Sequence, residues 1–300
     1  MKLRLKLELF KYCRQRCRKR SRRQLLRRRQ LFGGRQLGMH SPMDDAAGDD
    51  WVEEVLAFGK FSIRLKHLRG NDNWSMPRMG LHVWPGARRL CEDMALRSST
   101  VYEHHRSMLI LGGGTGLEGL VNAAVCGHAG YERIVCLTDG AAMSCELMRE
   151  NVALNAPAPA GTTLHVNRLR FGESDDHAKL PMLTGWDCVA ISDSTFDYDL
   201  VPSVLRTVAF LQPAALIVCS ITGGAPAFER FTDGVCALGF KLVDPAQLPA
   251  EPTSRAARTV VLRFERTTAA RTMGVEMAAA ASTATKAEGG EDGNVQFDQV

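Results

Sequence analysis

The segment Met108-Leu-Ile-Leu-Gly-Gly-Gly-Thr-Gly-Leu-Glu-Gly119 constrains this chain more than any other. Met108 to Leu111 is a short apolar run that reads as a buried strand, and Leu117 to Cys126 then has helical spacing. Between them lies the turn Gly112-Gly-Gly-Thr-Gly116. Glycines there permit positive φ and let a ligand approach backbone N–H groups at the positive end of the helix. In an open α/β sheet such a ligand sits at the carboxyl ends of the strands, at the switch point. The same stretch satisfies Gly-x-Gly-x-x-Gly at Gly114, Gly116 and Gly119, so a dinucleotide fold is a competing reading. A P-loop is excluded, because no Lys-Ser/Thr follows the glycines.

Asp139 ends the next apolar run, Arg133 to Thr138, about twenty residues past Gly119. A carboxylate at that place can accept both hydroxyls of a ribose, in NAD or S-adenosylmethionine (SAM) alike. It can also cap the helix expected over 141–155. Loop and acid together point to an adenosine-bearing ligand and leave its identity open.

The remaining pattern alternates strands with helices. Strands are expected at 163–169, 186–191, 214–221, 240–243 and 259–264, and helices at 200–211 and 225–238. This order predicts a parallel, doubly wound sheet. The last two strands have no helix between them and should form an antiparallel hairpin at one edge. Upstream, Phe61 to Leu68 alternates apolar and charged residues as a half-buried strand does. Gly80-Leu-His-Val-Trp-Pro85 reads as another extended piece, stopped by proline.

Charge divides the chain further. The net charge is +5, but residues 1–40 hold 15 of the 38 Lys/Arg and one acid, Glu8. The rest is therefore acidic. Residues 1–38 are expected to be a basic arm, disordered or partly helical, and 39–50 a linker. An extension containing β structure is expected over 51–105, the ligand-binding domain over 106–267 and a disordered tail over 268–300. The arm reads as a solvated tail, a nuclear-type cluster (Arg18-Lys19-Arg20-Ser21-Arg22-Arg23), a nucleic-acid contact or a mitochondrial presequence; a start at Met39 or Met43 is a further reading. Cytoplasm or nucleus is the expected location, with the mitochondrion as alternative. Nine scattered cysteines suit a reducing compartment. Cys13 and Cys17 lack a second Cys/His pair, so no metal site is expected. No apolar run is long enough to span a membrane.

Trp84-Pro85, Leu111-Gly-Gly-Gly-Thr-Gly116, Leu137-Thr-Asp-Gly140, Asn151 with Asn155, Leu169-Arg-Phe171 and Ser192-Asp-Ser-Thr-Phe196 occur in one register. In that register the chain resembles the seven-strand lysine methyltransferases of family 16, over about residues 60–265. Within that family, Leu-Gly-Gly-Gly, Leu-Thr-Asp-Gly and Leu-Arg-aromatic look most like the calmodulin-lysine N-methyltransferases. Three positions depart from the family pattern: Ile110 stands for a usual Glu, Phe171 for Trp, and Phe196 for a frequent Tyr.

The resemblance implies a Rossmann-like seven-stranded sheet and SAM as cofactor. It implies a protein substrate offering a lysine, calmodulin among the candidates. Trp84, Gly112, Gly114, Gly116, Asp139, Phe171 and Ser192 would bind the cofactor. Asp193 would orient the acceptor amine, with Phe196 as a wall of its channel. A monomer is expected. A methyltransferase acting on RNA (through the basic arm) or on a small molecule is the alternative, and an NAD-binding oxidoreductase or non-catalytic nucleotide-binding module the second.

Overall fold

The computed structural model describes residues 50–69, 76–127, 131–195, 197–221, 226–245 and 259–267. The expected arm and tail and the site residue Phe196 lie outside the described residues, as do Cys13 and Cys17. The chain begins with a hairpin, Trp51–Phe58 (β1) and Phe61–Leu68 (β2), whose antiparallel register runs from Trp51 opposite Leu68 to Phe58 opposite Phe61. The half-buried strand expected at 61–68 is present, and β1 is its partner.

The segment expected to be extended over 80–85 forms no strand and is instead a short link between two helices. Met76–Leu81 forms a short 3-10 helix, and Pro85–Leu96 is a full helix, α1. Trp84, in extended geometry at its N-cap, has the conformation that a following proline imposes. Proline lacks an N–H that a first-turn residue would leave unpaired anyway, so Pro85 opens a helix rather than closing a strand.

The main sheet follows. Ser107–Leu111 (β3), Leu117–Cys126 (α2), Arg133–Asp139 (β4), Ala142–Leu154 (α3) and Thr162–Arg168 (β5) build one half. After a single helical turn, Ser174–His177 (α4), come Cys188–Ser192 (β6), Val201–Leu211 (α5), Ala215–Ile221 (β7), Pro226–Ala237 (α6), Phe240–Pro245 (β8) and Thr259–Arg266 (β9). The seven strands lie in the order β5-β4-β3-β6-β7-β9-β8. Strands β3 to β7 are parallel, and β9 runs antiparallel between β7 and β8. This is the expected α/β sheet with its terminal hairpin.

All five residues of β3 are buried, because helices cover both faces of the sheet. Strand period two divides them. Met108 and Ile110 pack with Leu90, Cys91 and Met94 of α1 and Leu117 and Val121 of α2. Leu109 and Leu111 pack with Val204, Val208 and Leu211 of α5 and Phe231 of α6. The hairpin joins the first of these layers through Ile63 and Leu65.

Asn151 and Asn155 tie the hairpin to the sheet. The Asn155 side chain accepts from Arg64 N–H (3.0 Å) and donates to Arg64 O (2.7 Å). Asn151 does the same with Lys66 N–H (2.7 Å) and Lys66 O (3.0 Å). The spacing works because four residues of helix rise about 6 Å and two of strand about 6.6 Å. Asn151 also donates to Thr115 O (2.9 Å), in the glycine turn. Replacing Asn151 by alanine is expected to destabilise the protein by about 2–4 kcal/mol, since buried backbone groups lose their partners. Urea unfolding measures this; a change below about 0.5 kcal/mol would show the amide to be dispensable.

Candidate active site

The chain leaves β5 at one edge and re-enters as β6, beside β3. The loops after β3 and β6 therefore diverge, and their carboxyl ends frame the crevice where α/β sheets place ligands. Gly112 opens the loop after β3 with φ +72°. A Cβ added there would collide with Ser194 Oγ and come within 3.3 Å of Phe171 Cζ. Three loops, after β3, β5 and β6, thus converge on Gly112. The aromatic expected beside the ligand lies against the glycine loop.

Asp139 meets the same loop from β4. Its Oδ2 accepts from Gly114 N–H (3.1 Å) and its Oδ1 from Ala141 N–H (2.9 Å). Burial raises its pKa, and the backbone N–H bonds partly offset that. A carboxylate offers about four acceptor positions; Gly114 and Ala141 N–H take two, and Ser144 and Gly140 also act on it. The glycines divide by task. A Cβ on Gly114 would lie 2.8 Å from Gly80 O, and one on Gly116 3.0 Å from Met148 Cγ. Those two serve packing against the 3-10 helix and α3, whereas Gly112 faces the loops that enclose the crevice.

Asp193 follows β6 with φ +47°, a left-handed conformation that Asp adopts more readily than most residues. Its N–H donates to Cys219 O (3.0 Å), which holds the turn onto β7. Its Oδ2 accepts from Gly86 N–H at 2.6 Å, in the first turn of α1. Negative charge is favoured at a helix N-terminus. A Cβ on Gly86 would sit 2.5 Å from that same oxygen, so only glycine admits the carboxylate. Trp84, two residues earlier, is pinned by its indole N–H, which donates to Met79 O (2.8 Å).

The Ser192 hydroxyl donates to Oε1 of Glu118 through a short hydrogen bond. Glu118 is 1% exposed, in the first turn of α2. Its Oε2 has no hydrogen-bond partner. Burial lifts its pKa to about 7; the Ser192 bond lowers it, and Asp193 and Asp139 add to the rise.

Of the expected site residues, Phe171 lies against Gly112, Ser192 and Asp193 stand at the end of the neighbouring strand β6, Asp139 holds Gly114, Gly116 packs on α3, and Trp84 heads α1. Glu118, Gly86 and Ser194 were not anticipated. Glu118 had a signal: α2 is apolar on nearly all sides, so an acid within it must be buried. Gly86 and Ser194 had none, because their contacts join residues far apart in the chain. Among the described residues no group of three or more His, Cys, Asp or Glu is placed to hold a metal ion, and no helix is long and apolar enough to cross a membrane. A cavity of about 180 Å³ between His104, His105, Asp187 and Arg263 lies at the opposite ends of the strands.

The family model described as lysine methyltransferase matches residues 64–223. Protein N-lysine methyltransferase METTL21A of Xenopus tropicalis is 27% identical over 174 residues, covering 57% of this chain and 74% of that protein. Among solved structures, magnesium protoporphyrin IX methyltransferase (ChlM) from Synechocystis PCC 6803 with bound SAM is 15% identical. It covers 66% of this chain and 87% of its own, with a TM-score of 0.44. A TehB-like SAM-dependent methyltransferase from Corynebacterium glutamicum is also 15% identical, covering 63% and 91%, with a TM-score of 0.40.

Proposed function

Given that this chain belongs to the lysine methyltransferase family, we propose that its crevice transfers the methyl group of SAM to the side-chain amine of a lysine in a protein substrate. The observation that carries this is the placement of Gly112, Asp139 and Asp193 at the carboxyl ends of three adjacent parallel strands, β3, β4 and β6. When bound, SAM supplies a methyl group activated by its sulfonium charge. The residues present fit such a group. Gly112 has no Cβ where the loops converge, Asp139 ends β4 against the glycine turn, and the buried Glu118, bonded to Ser192 at the end of β6, keeps an oxygen without a partner.

What remains for the protein is alignment and exclusion of water. Asp139 would hold the ribose hydroxyls and Phe171 would hold the adenine. Asp193 orients the acceptor amine from the end of β6. A free lysine, with a pKa of about 10.4, is almost wholly charged near neutrality and has no lone pair to attack with. Burial among apolar walls favours the neutral amine. The acceptor's immediate surroundings are the Trp84-Pro85-Gly86 segment and the turn after Asp193.

Support for a protein acceptor comes from the METTL21A likeness. Calmodulin is the first substrate to offer, on the sequence features that resemble its methyltransferase. The test is incubation of whole-cell lysate with the protein and tritiated SAM, followed by mass spectrometry of the labelled species. Label on lysine side chains is the expected result. Label that nuclease removes, or that dialysis of the lysate prevents, would overturn the protein-lysine reading.

A further inference from the structure

Glu118 has no task in the steps above, yet burying such a group is costly. It is a carboxyl 1% exposed to solvent, with one oxygen held by Ser192 and the other without a partner. Leaving a buried acceptor unpaired is unfavourable, more so if it carries charge. The titratable groups facing it are Asp193 after β6, Asp139 at the end of β4, Cys91 of α1 and Cys219 of β7. The two acids oppose its ionisation, and no basic group figures among its principal influences. An orphan acceptor in such surroundings suits a ligand cation that also donates hydrogen bonds. A sulfonium has no N–H to give, whereas an ammonium has three.

We infer that Glu118 is the subsite for the α-ammonium of the cofactor's methionine moiety, with Oε2 accepting one of its N–H groups. This rests on the reading that the crevice holds SAM. It has a proton consequence. In the empty site the carboxyl, with a pKa of about 7, is largely protonated on the acid side of neutrality. The incoming cation favours the carboxylate, so the Glu118 proton passes to solvent as the ligand binds, while the ammonium keeps its own. Without ligand, the folded-state pKa lies above the ordinary value of 4.5. Stability from this group is therefore lost as pH rises through that window.

The test is titration calorimetry of the full chain with SAM, S-adenosylhomocysteine and methylthioadenosine, in buffers of different ionisation enthalpy. The wild type is expected to release close to one proton with the first two ligands at about pH 6; at about pH 8.5 Glu118 is already ionised, so no release is expected, and ligand whose amine is neutral takes up a proton on binding. Methylthioadenosine lacks the amino acid and should release none from this group. Glu118→Gln should abolish the release and weaken SAM and S-adenosylhomocysteine alike, by about 10- to 100-fold at high pH. Its affinity for methylthioadenosine should be unchanged. Asp139 also has a raised pKa, and a release that persists in Glu118→Gln would assign the proton there and overturn the inference. Binding by the wild type without proton release overturns it too, whether or not the variant folds, while the SAM reading stands. If the wild type binds neither SAM nor S-adenosylhomocysteine, both fall.

Discussion

Asp193→Asn is expected to lower kcat by about 100- to 1,000-fold, with SAM affinity within about threefold of the wild type. Asparagine keeps an oxygen that can accept from Gly86 N–H, the bond that measures 2.6 Å here. It also tolerates the left-handed backbone at this position, φ +47°. The substitution therefore removes the charge proposed to face the acceptor amine while the anchor of α1 can persist. Single-turnover methylation measures the chemical step, and calorimetry the affinity. A kcat within about threefold of the wild type would mean that Asp193 is a helix anchor and nothing more.

Gly86→Ala is expected to lose activity on a similar scale, by a different route. Its Cβ would stand 2.5 Å from Asp193 Oδ2 and 2.6 Å from Cγ. Contacts that short are not tolerated, so either the carboxylate or the first turn of α1 must move. Gly86 is not among the positive-φ glycines, so alanine brings no backbone strain of its own and the effect reports the contact alone. Reactions depend steeply on placement, and a shift of about 1 Å can cost about 100-fold. The thermal midpoint should also fall. Combined with Asp193→Ala, the two losses should be far from additive, because both act on one contact. An additive double variant, or near-normal activity in Gly86→Ala, would separate α1 from the chemistry.

Much of the fold was readable from local pattern. The apolar run of β3, the helical spacing of α2 and α3, and the missing helix before the last strand each follow from side-chain period within a short window. The hairpin edge followed from the lack of a helical pattern between the last two strands, since a parallel crossover is usually made by a helix. Helix α1 was also legible and was misread. Ala87, Leu90, Cys91 and Met94 recur at helical spacing and are buried in the structure. Pro85 reads as the end of an extended piece when taken by itself, although proline is tolerated in a first helical turn.

The site divides in the same way. Its backbone elements, the glycine turn at 112–116 and the acids at 139 and 193 ending their strands, were set by residues near one another in sequence. Glycine type and strand period suffice to specify them. What the tertiary structure alone decided is what those groups touch. Asp193 meets Gly86 across 107 residues and Ser192 meets Glu118 across 74. Gly114 serves the approach of Gly80 rather than of a ligand alone. Such pairings depend on how helices lie over the sheet, which is a property of the whole packed core. The unpaired oxygen of Glu118 belongs to the same class, because a buried acceptor is defined by every neighbour that does not reach it.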